Sequence, residues 1–202
     1  MPEGFTTIDL LRHGEPVGGR KYRGQTDDPL SDKGWQQMRA AVGEHQPWQQ
    51  IVSSPLSRCL AFATELAQRH ALPFSVDARF MEVNFGVWEG QTADQLRASD
   101  PEVIERFKRD PISQRPEGAE RLEDFFARVR GGWSDLLAAQ AGKHVLLVCH
   151  AGVIRMVLAH ALNLPLASTY RIDVPSAGLT RLRVQGVGDA AQHQLVFHHG
   201  QL

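Results

Sequence analysis

The sequence is poor in cysteine, with two among 202 residues. Two thiols cannot form a disulfide framework, so a reducing compartment is the default and a secreted, disulfide-stapled scaffold is excluded. Charge of either sign in excess is also missing: 22 Lys+Arg face 23 Asp+Glu, a formal net charge of −1. Such a balance gives no reason to expect a nucleic-acid or anionic-membrane partner. No apolar run approaches the ~18 residues of a membrane span, and the start, Met1 to Thr7, has no cationic n-region. A cytoplasmic protein is the expectation. Repeats, low-complexity tracts and flexible linkers are lacking too. What is present is 42% hydrophobic residues, enough for a real core at this length, and nine histidines.

Short apolar runs alternate with helical patterns. Thr6 to Leu11 reads as a strand that ends abruptly in Arg12-His13-Gly14. Asp28-Pro29-Leu30-Ser31 predicts a turn with Ser31 as helix N-cap, opening a helix through Trp35, Met38 and Val42. Ile51-Val52 is a short buried strand, and Ser54-Pro55 predicts an N-cap followed by proline at the first helical position. Leu56, Leu60, Ala63 and Ala67 continue that helix to about His70. Phe74 to Phe80 predicts another strand. The polar, proline-broken stretch 91–118 reads as a lid-like insertion in one domain spanning 1–202. A strong helical stripe follows from Leu122 to Leu137. His144 to Cys149 is a near-continuous apolar strand of the kind covered on both faces. Val153 to Leu164 predicts a buried helix, and Arg171 to Val174, Leu179 to Val184 and Leu195 to Phe197 predict closing strands. Strands alternating with helices indicate an α/β domain with a largely parallel sheet.

The unusual residues fall at strand ends. Arg12 and His13 follow the first strand, Ser53, Ser54 and Arg58 the second, Glu82 the third, and His150 the HVLLVC strand. In open parallel sheets ligands bind beyond the carboxyl ends of the strands. Two Arg, two His and one Glu therefore converge on one edge. Guanidinium groups offer paired donors to phosphate oxygens. Positive neighbours disfavour a protonated imidazole, so Arg12 and Arg58 should keep His13 neutral and nucleophilic. A carboxyl such as Glu82 beside a phosphate dianion is driven toward its acid form, as a proton donor to a leaving alkoxide requires. Arg58, near a helix N-terminus, is expected to act beside exposed backbone N–H groups.

These segments resemble the histidine phosphatase superfamily, the phosphoglycerate-mutase-like branch 1. The resemblance rests on Arg12-His13-Gly14-Glu15 after its strand, Ser53-Ser54-Pro55-Leu56-Ser57-Arg58, Glu82-Val83-Asn84-Phe85-Gly86-Val87-Trp88-Glu89-Gly90, and Val148-Cys149-His150-Ala151-Gly152-Val153-Ile154-Arg155. It runs from about Ile8 to Pro165. It implies a three-layer α/β/α sandwich and a metal-independent phosphomonoesterase without cofactor, acting on a small-molecule phosphate ester. It also implies that His13 is phosphorylated, that Glu82 is proton donor and later base, and that Arg12, Arg58 and His150 hold the phosphoryl group. Where many relatives carry Thr or Ser and then Asn after the first motif, this chain has Pro16 and Gly19. The loop Tyr22 to Leu30 resembles the next family segment, and in it Arg23 and Gly24 are candidate contacts to phosphate or substrate. The Gly-Glu-Ser that often precedes the long helix is Gly118-Ala119-Glu120-Arg121 here. The compact length and the Asn84 to Gly90 run look most like the α-ribazole phosphatases.

Rival readings remain at this point. A cofactor-dependent phosphoglycerate mutase is the main alternative, although such mutases usually carry an adjacent Arg pair after the acid; here Arg97, Arg106, Lys108, Arg109 and Arg115 are separated. A non-catalytic phosphate-binding module is another alternative, opposed by the complete set of His13, Arg58, Glu82 and His150. Cys149 and Arg155 fit the Cys-x5-Arg spacing of cysteine-dependent phosphatases, but with His150 toward the site, strand alternation turns Cys149 to the core. Metal ligation lacks His-Glu-x-x-His, His-x-His or Cys-x-x-Cys spacing. His193, His198 and His199 read as a solvated strand edge rather than a metal site.

Overall fold

The computed structural model describes residues 4–200. Six strands form one sheet in the order β3-β2-β4-β1-β5-β6. They are β1 (Thr6–Arg12), β2 (Gln50–Ser53), β3 (Phe74–Val76), β4 (His144–Cys149), β5 (Leu179–Gln185) and β6 (Gln192–Gly200). The four strands β3, β2, β4 and β1 run parallel, while β5 and β6 are antiparallel additions at one side. Helices α1 (Asp32–Val42), α2 (Ser57–His70), α3 (Ala93–Ser99), α4 (Val103–Arg109), α5 (Leu122–Ala139) and α6 (Ala151–Ala161) fall between them.

Alternation along β4 explains the layers. Leu146 and Val148 join Met38 of α1 and Phe62 and Leu66 of α2 in one apolar cluster. Val145, Leu147 and Cys149 join Phe125, Val129 and Trp133 of α5 and Val153, Ile154 and Val157 of α6 in the other. A strand buried on both faces needs apolar residues at successive positions, and Val145 to Cys149 supply them. The result is the α/β/α sandwich expected. Fully burying a side chain such as Phe125 stabilises by about 1.5–3 kcal/mol. The 91–118 segment contributes Ile104 and Phe107 to the second cluster, so its two short helices are anchored rather than loose.

Local signals account for most boundaries. Ser31 caps α1, its side chain accepting from the Gly34 N–H, and Gly43 ends the helix at φ +50°. Three expectations shift. The strand expected over 74–80 stops at Val76, because the Asp77 side chain accepts from the Arg79 N–H and turns 78–80 into a 3-10 turn. Residues 171–174 are not a strand: a 3-10 helix (Leu166–Arg171) leads into a segment whose Ile172 and Val174 carbonyls receive arginine side chains. Helix α2 begins at Ser57 with Leu56 at the cap, and Ser54 instead accepts from the Leu56 N–H.

Register positions the site. Arg12 ends β1 opposite Cys149 at the end of β4, and Ser53 ends β2 opposite Val148. The next residues along each strand, His13, Ser54 and His150, therefore emerge side by side at the carboxyl edge. No helix among the described residues is long and apolar enough to cross a membrane.

Candidate active site

His13 and His150 meet edge to face with ring centroids 5.2 Å apart, and both are buried. Nδ1 of His13 lies 2.7 Å from the Gly14 carbonyl oxygen, which can only accept. Nδ1 therefore carries the proton, and the lone pair sits on Nε2. Burial first, then the positive charges of Arg12 and Arg58, push the His13 imidazole well below its ordinary range. Burial, Arg58 and His13 do the same to His150. Both rings are neutral at physiological pH, as the sequence led us to expect for His13.

Arg58 lies fully inside, and its two terminal nitrogens donate to the Thr26 and Gly24 carbonyls at 2.8 and 2.6 Å. Arg12 donates to the Val174 carbonyl, and burial lowers its guanidinium to about 10, so it stays charged near neutrality. The Nε of each is buried without a protein acceptor among the described residues. Orphaned cationic donors are costly in a protein interior unless an anion completes them. The expectation of free backbone N–H groups beside Arg58 needs correction at Ser57. Its N–H and hydroxyl both donate to the Asp27 carboxylate at 2.7 and 2.8 Å, so the chain supplies the anion at that helix start.

Glu82 enters from the turn after β3. Its carboxylate accepts from the Val83 N–H at 3.0 Å and from the Gly152 N–H, at the start of α6, at 3.1 Å. A side chain at Gly152 would place Cβ only 2.1 Å from a Glu82 carboxylate oxygen, so this approach requires glycine. Arg128 on α5 clamps the same turn by donating to the Arg79, Met81 and Glu82 carbonyls and to Glu120. Arg12 and Glu82 are close enough to sense each other's charge. Glu89, a second carboxylate of the Glu82 to Gly90 segment, is occupied elsewhere: it accepts from the N–H groups of Gln25, Thr26 and Phe85. Glu15 pairs with Lys33 at 2.8 Å.

Arg23 and Gly24 take supporting positions. The Arg23 guanidinium is buried, bonded to Asp28 and to the Val17 and Gly19 carbonyls. It is neither a solvated loop residue nor free on those two nitrogens, although its charge reaches His13. Gly24 orients Arg58 through its carbonyl, and its missing Cβ, at φ +53°, leaves room for the Glu89 carboxylate. Cys149 is fully buried in the α5–α6 core, with burial pushing its thiol far up, so it presents no thiolate. The C-terminal histidines are dispersed: His193 accepts from the Trp133 indole and His198 bonds Thr180 and the Asp173 carbonyl.

The sequence places Ser54 at a strand end but not its hydroxyl 2.7 Å from Nε2 of His150, and it gives no sign of Arg128. Arg128 lies on α5 and pairs with Glu120, eight residues earlier and outside the helix, a separation that no local spacing rule marks.

Residues 8–194 match the family model of the histidine phosphatase superfamily (branch 1). A bifunctional protein of Mycobacterium tuberculosis is 36% identical over 148 residues, covering 71% of this chain but 40% of its own length. The chain thus spans under half of that relative. Glucosyl-3-phosphoglycerate phosphatase of M. tuberculosis is 36% identical over 137 residues, 65% of this chain and 60% of that one. The native structure of the mycobacterial glucosyl-3-phosphoglycerate phosphatase superposes with TM-score 0.86 at 30% identity, covering 98% of this chain and all of that one. A putative alpha-ribazole-5'-P phosphatase from Escherichia coli shares the fold, with TM-score 0.82 at 21% identity over 96% of each chain. The chain belongs to the histidine phosphatase superfamily, branch 1.

Proposed function

We propose that this protein hydrolyses a small-molecule phosphate monoester through a phosphohistidine on His13. The observation that carries the reading is the fixed tautomer of His13, with Nδ1–H held by the Gly14 carbonyl and Nε2 left as nucleophile between two buried arginines. Nε2 attacks phosphorus in line, the N–P bond forms, and the P–O bond to the leaving alcohol breaks while Glu82 delivers a proton to that oxygen. Arg12, Arg58 and His150 neutralise charge on the equatorial oxygens, a mainly electrostatic contribution. Glu82, now a carboxylate, takes a proton from water as the water oxygen attacks phosphorus. The N–P bond breaks, phosphate leaves and neutral His13 is restored. The 91–118 segment serves as the lid.

Hydrolysis is favoured over mutase chemistry by how the lid spends its cations. A mutase must keep its phosphohistidine in a closed, strongly cationic pocket. Here Arg97 pairs with Asp94 and Glu105, Arg106 with Asp100 and Lys108 with Glu105. Turnover of p-nitrophenyl phosphate in the presence of EDTA tests the activity. Its absence across a panel of phosphate esters and pH values would overturn the reading. The panel should include α-ribazole 5'-phosphate, glucosyl-3-phosphoglycerate and 3-phosphoglycerate, and mutase activity dependent on 2,3-bisphosphoglycerate would replace hydrolysis.

A further inference from the structure

Arg58 is more deeply buried than Arg12, and neutral groups hold it. Its terminal nitrogens donate to the Gly24 and Thr26 carbonyls at 2.6 and 2.8 Å, while Nε meets no acceptor among the described residues. Carbonyls place a guanidinium without cancelling its charge, which leaves the full cation for a phosphoryl oxygen. The position of Arg58 therefore depends on what holds the turn 24–26.

A single carboxylate holds that turn. Oε1 of Glu89 accepts from the Gln25 N–H at 2.9 Å, and Oε2 accepts from the Thr26 N–H and hydroxyl at 2.9 and 2.8 Å. Oε1 also takes the Phe85 N–H at 3.0 Å, so all four lone-pair sites of the carboxylate are engaged. A Cβ on Gly24 would stand 2.1 Å from Oε1, and only glycine permits this approach. The Gln25 N–H and the Gly24 carbonyl belong to one peptide plane. Glu89 binds the N–H side of the plane whose oxygen grips Arg58, and so polarises that oxygen into a better acceptor.

The same carboxylate spans two elements of the site. Glu89 closes the 3-10 turn Gly86–Trp88 in the segment that follows Glu82, and the Gln25 side chain donates back to the Glu82 carbonyl at 3.3 Å. Its bonds all go to the protein, so Glu89 acts through other groups rather than on the substrate. We propose that Glu89 is the positioning residue of Arg58: through the Gly24–Gln25 peptide and Thr26 it sets where the guanidinium meets the phosphoryl oxygens. The proposal rests on the phosphomonoesterase reading and adds to it the group that orders the phosphate pocket from behind.

Glu89→Gln keeps the size of the side chain but sets an amide NH2 against N–H donors. Its kcat/KM for p-nitrophenyl phosphate should fall by about 10–100-fold, the scale on which small misplacements of a binding group act. Orthovanadate, titrated by calorimetry as a probe of the phosphoryl pocket, should bind more weakly by a similar factor. In an Arg58→Ala background the same substitution should change kcat/KM little, within about threefold. Thr26→Val removes one donor to Glu89 and leaves the backbone in place, so it keeps the test open if Glu89→Gln does not fold. It should weaken vanadate binding by about 3–10-fold, and Thr26→Ser should restore it. Equal losses with and without Arg58 overturn the assignment, since they mark a general structural role. A loss larger on glycerol 3-phosphate than on p-nitrophenyl phosphate overturns it as well, because it marks an effect on proton delivery by Glu82. So does vanadate binding at wild-type strength in folded Glu89→Gln. A wild-type protein that hydrolyses no ester overturns the phosphatase reading instead, and vanadate binding still decides the role of Glu89.

Discussion

The Ser54 hydroxyl sits 2.7 Å from Nε2 of the fully buried His150. Because the Ser54 oxygen already accepts from the Leu56 N–H, its own hydrogen is available to His150, which fixes the ring's tautomer and orientation from the side away from solvent. Ser54→Ala leaves a buried ring nitrogen without its hydroxyl partner, a cost of about 1–3 kcal/mol. The Cys59 thiol, 3.6 Å away, is a weaker substitute. We expect kcat/KM for p-nitrophenyl phosphate to fall about 10-fold, since 1.36 kcal/mol is worth a factor of ten in rate. An unchanged rate constant in a folded variant removes Ser54 from the account.

Glu82 is assigned to protonate the leaving oxygen, so its importance should scale with how poor that leaving group is. Glu82→Gln keeps the size of the side chain but has no proton to give. For an alkyl phosphate, kcat should drop about 10²–10⁴-fold. For p-nitrophenyl phosphate, whose phenolate leaves without help, phosphorylation should suffer much less. Steady-state kinetics on both substrates, with burst-phase measurement on the aryl ester, separates the two steps. Equal loss of phosphorylation rate on both esters argues against Glu82 as the acid.

Midway along β1, Asp9 is completely buried and accepts from Trp48, His144 and Arg181. Burial opposes its ionisation, but the hydrogen bonds from Arg181, His144 and Trp48 outweigh it and hold the carboxyl below its ordinary 3.8. A group with a depressed folded pKa contributes stability above its unfolded value and loses it as pH falls through the folded one. Asp9→Asn should therefore cost about 3–5 kcal/mol near neutrality, the range for breaking a buried ion pair. The gap from wild type should narrow as pH drops below 3.8. Denaturant unfolding at neutral and acidic pH measures both, and a pH-independent gap contradicts the assignment.

Much of this site was legible because strand ends are legible. The apolar run of β4 stopping at His150, and that of β1 stopping before Arg12-His13-Gly14, mark the carboxyl edge without any structure. Arg58 and Glu82 followed from the same logic. What the sequence hid depends on tertiary placement. Nothing local distinguishes Arg115 from Arg97 or Arg106; only the fold reveals that the latter two meet acids and the former does not. Residues 171–174 carry a strand's composition, yet their carbonyls serve Arg12 and Arg155 instead of a sheet neighbour. Arg23 is a candidate contact through the resemblance of its loop to a family segment, and only the fold shows that its Nε and Nη2 also hold that loop together.

The central claim is that phosphate passes through Nε2 of His13. Protein quenched during turnover of a labelled phosphate ester, then denatured, should carry about one phosphoryl group per chain at most. That group should be stable in base and labile in acid, map to His13 by mass spectrometry of peptides handled at high pH, and show the Nε2 isomer by phosphorus NMR. His13→Ala should carry none. A label that survives acid but not base, or one that persists in His13→Ala, would contradict the phosphohistidine mechanism.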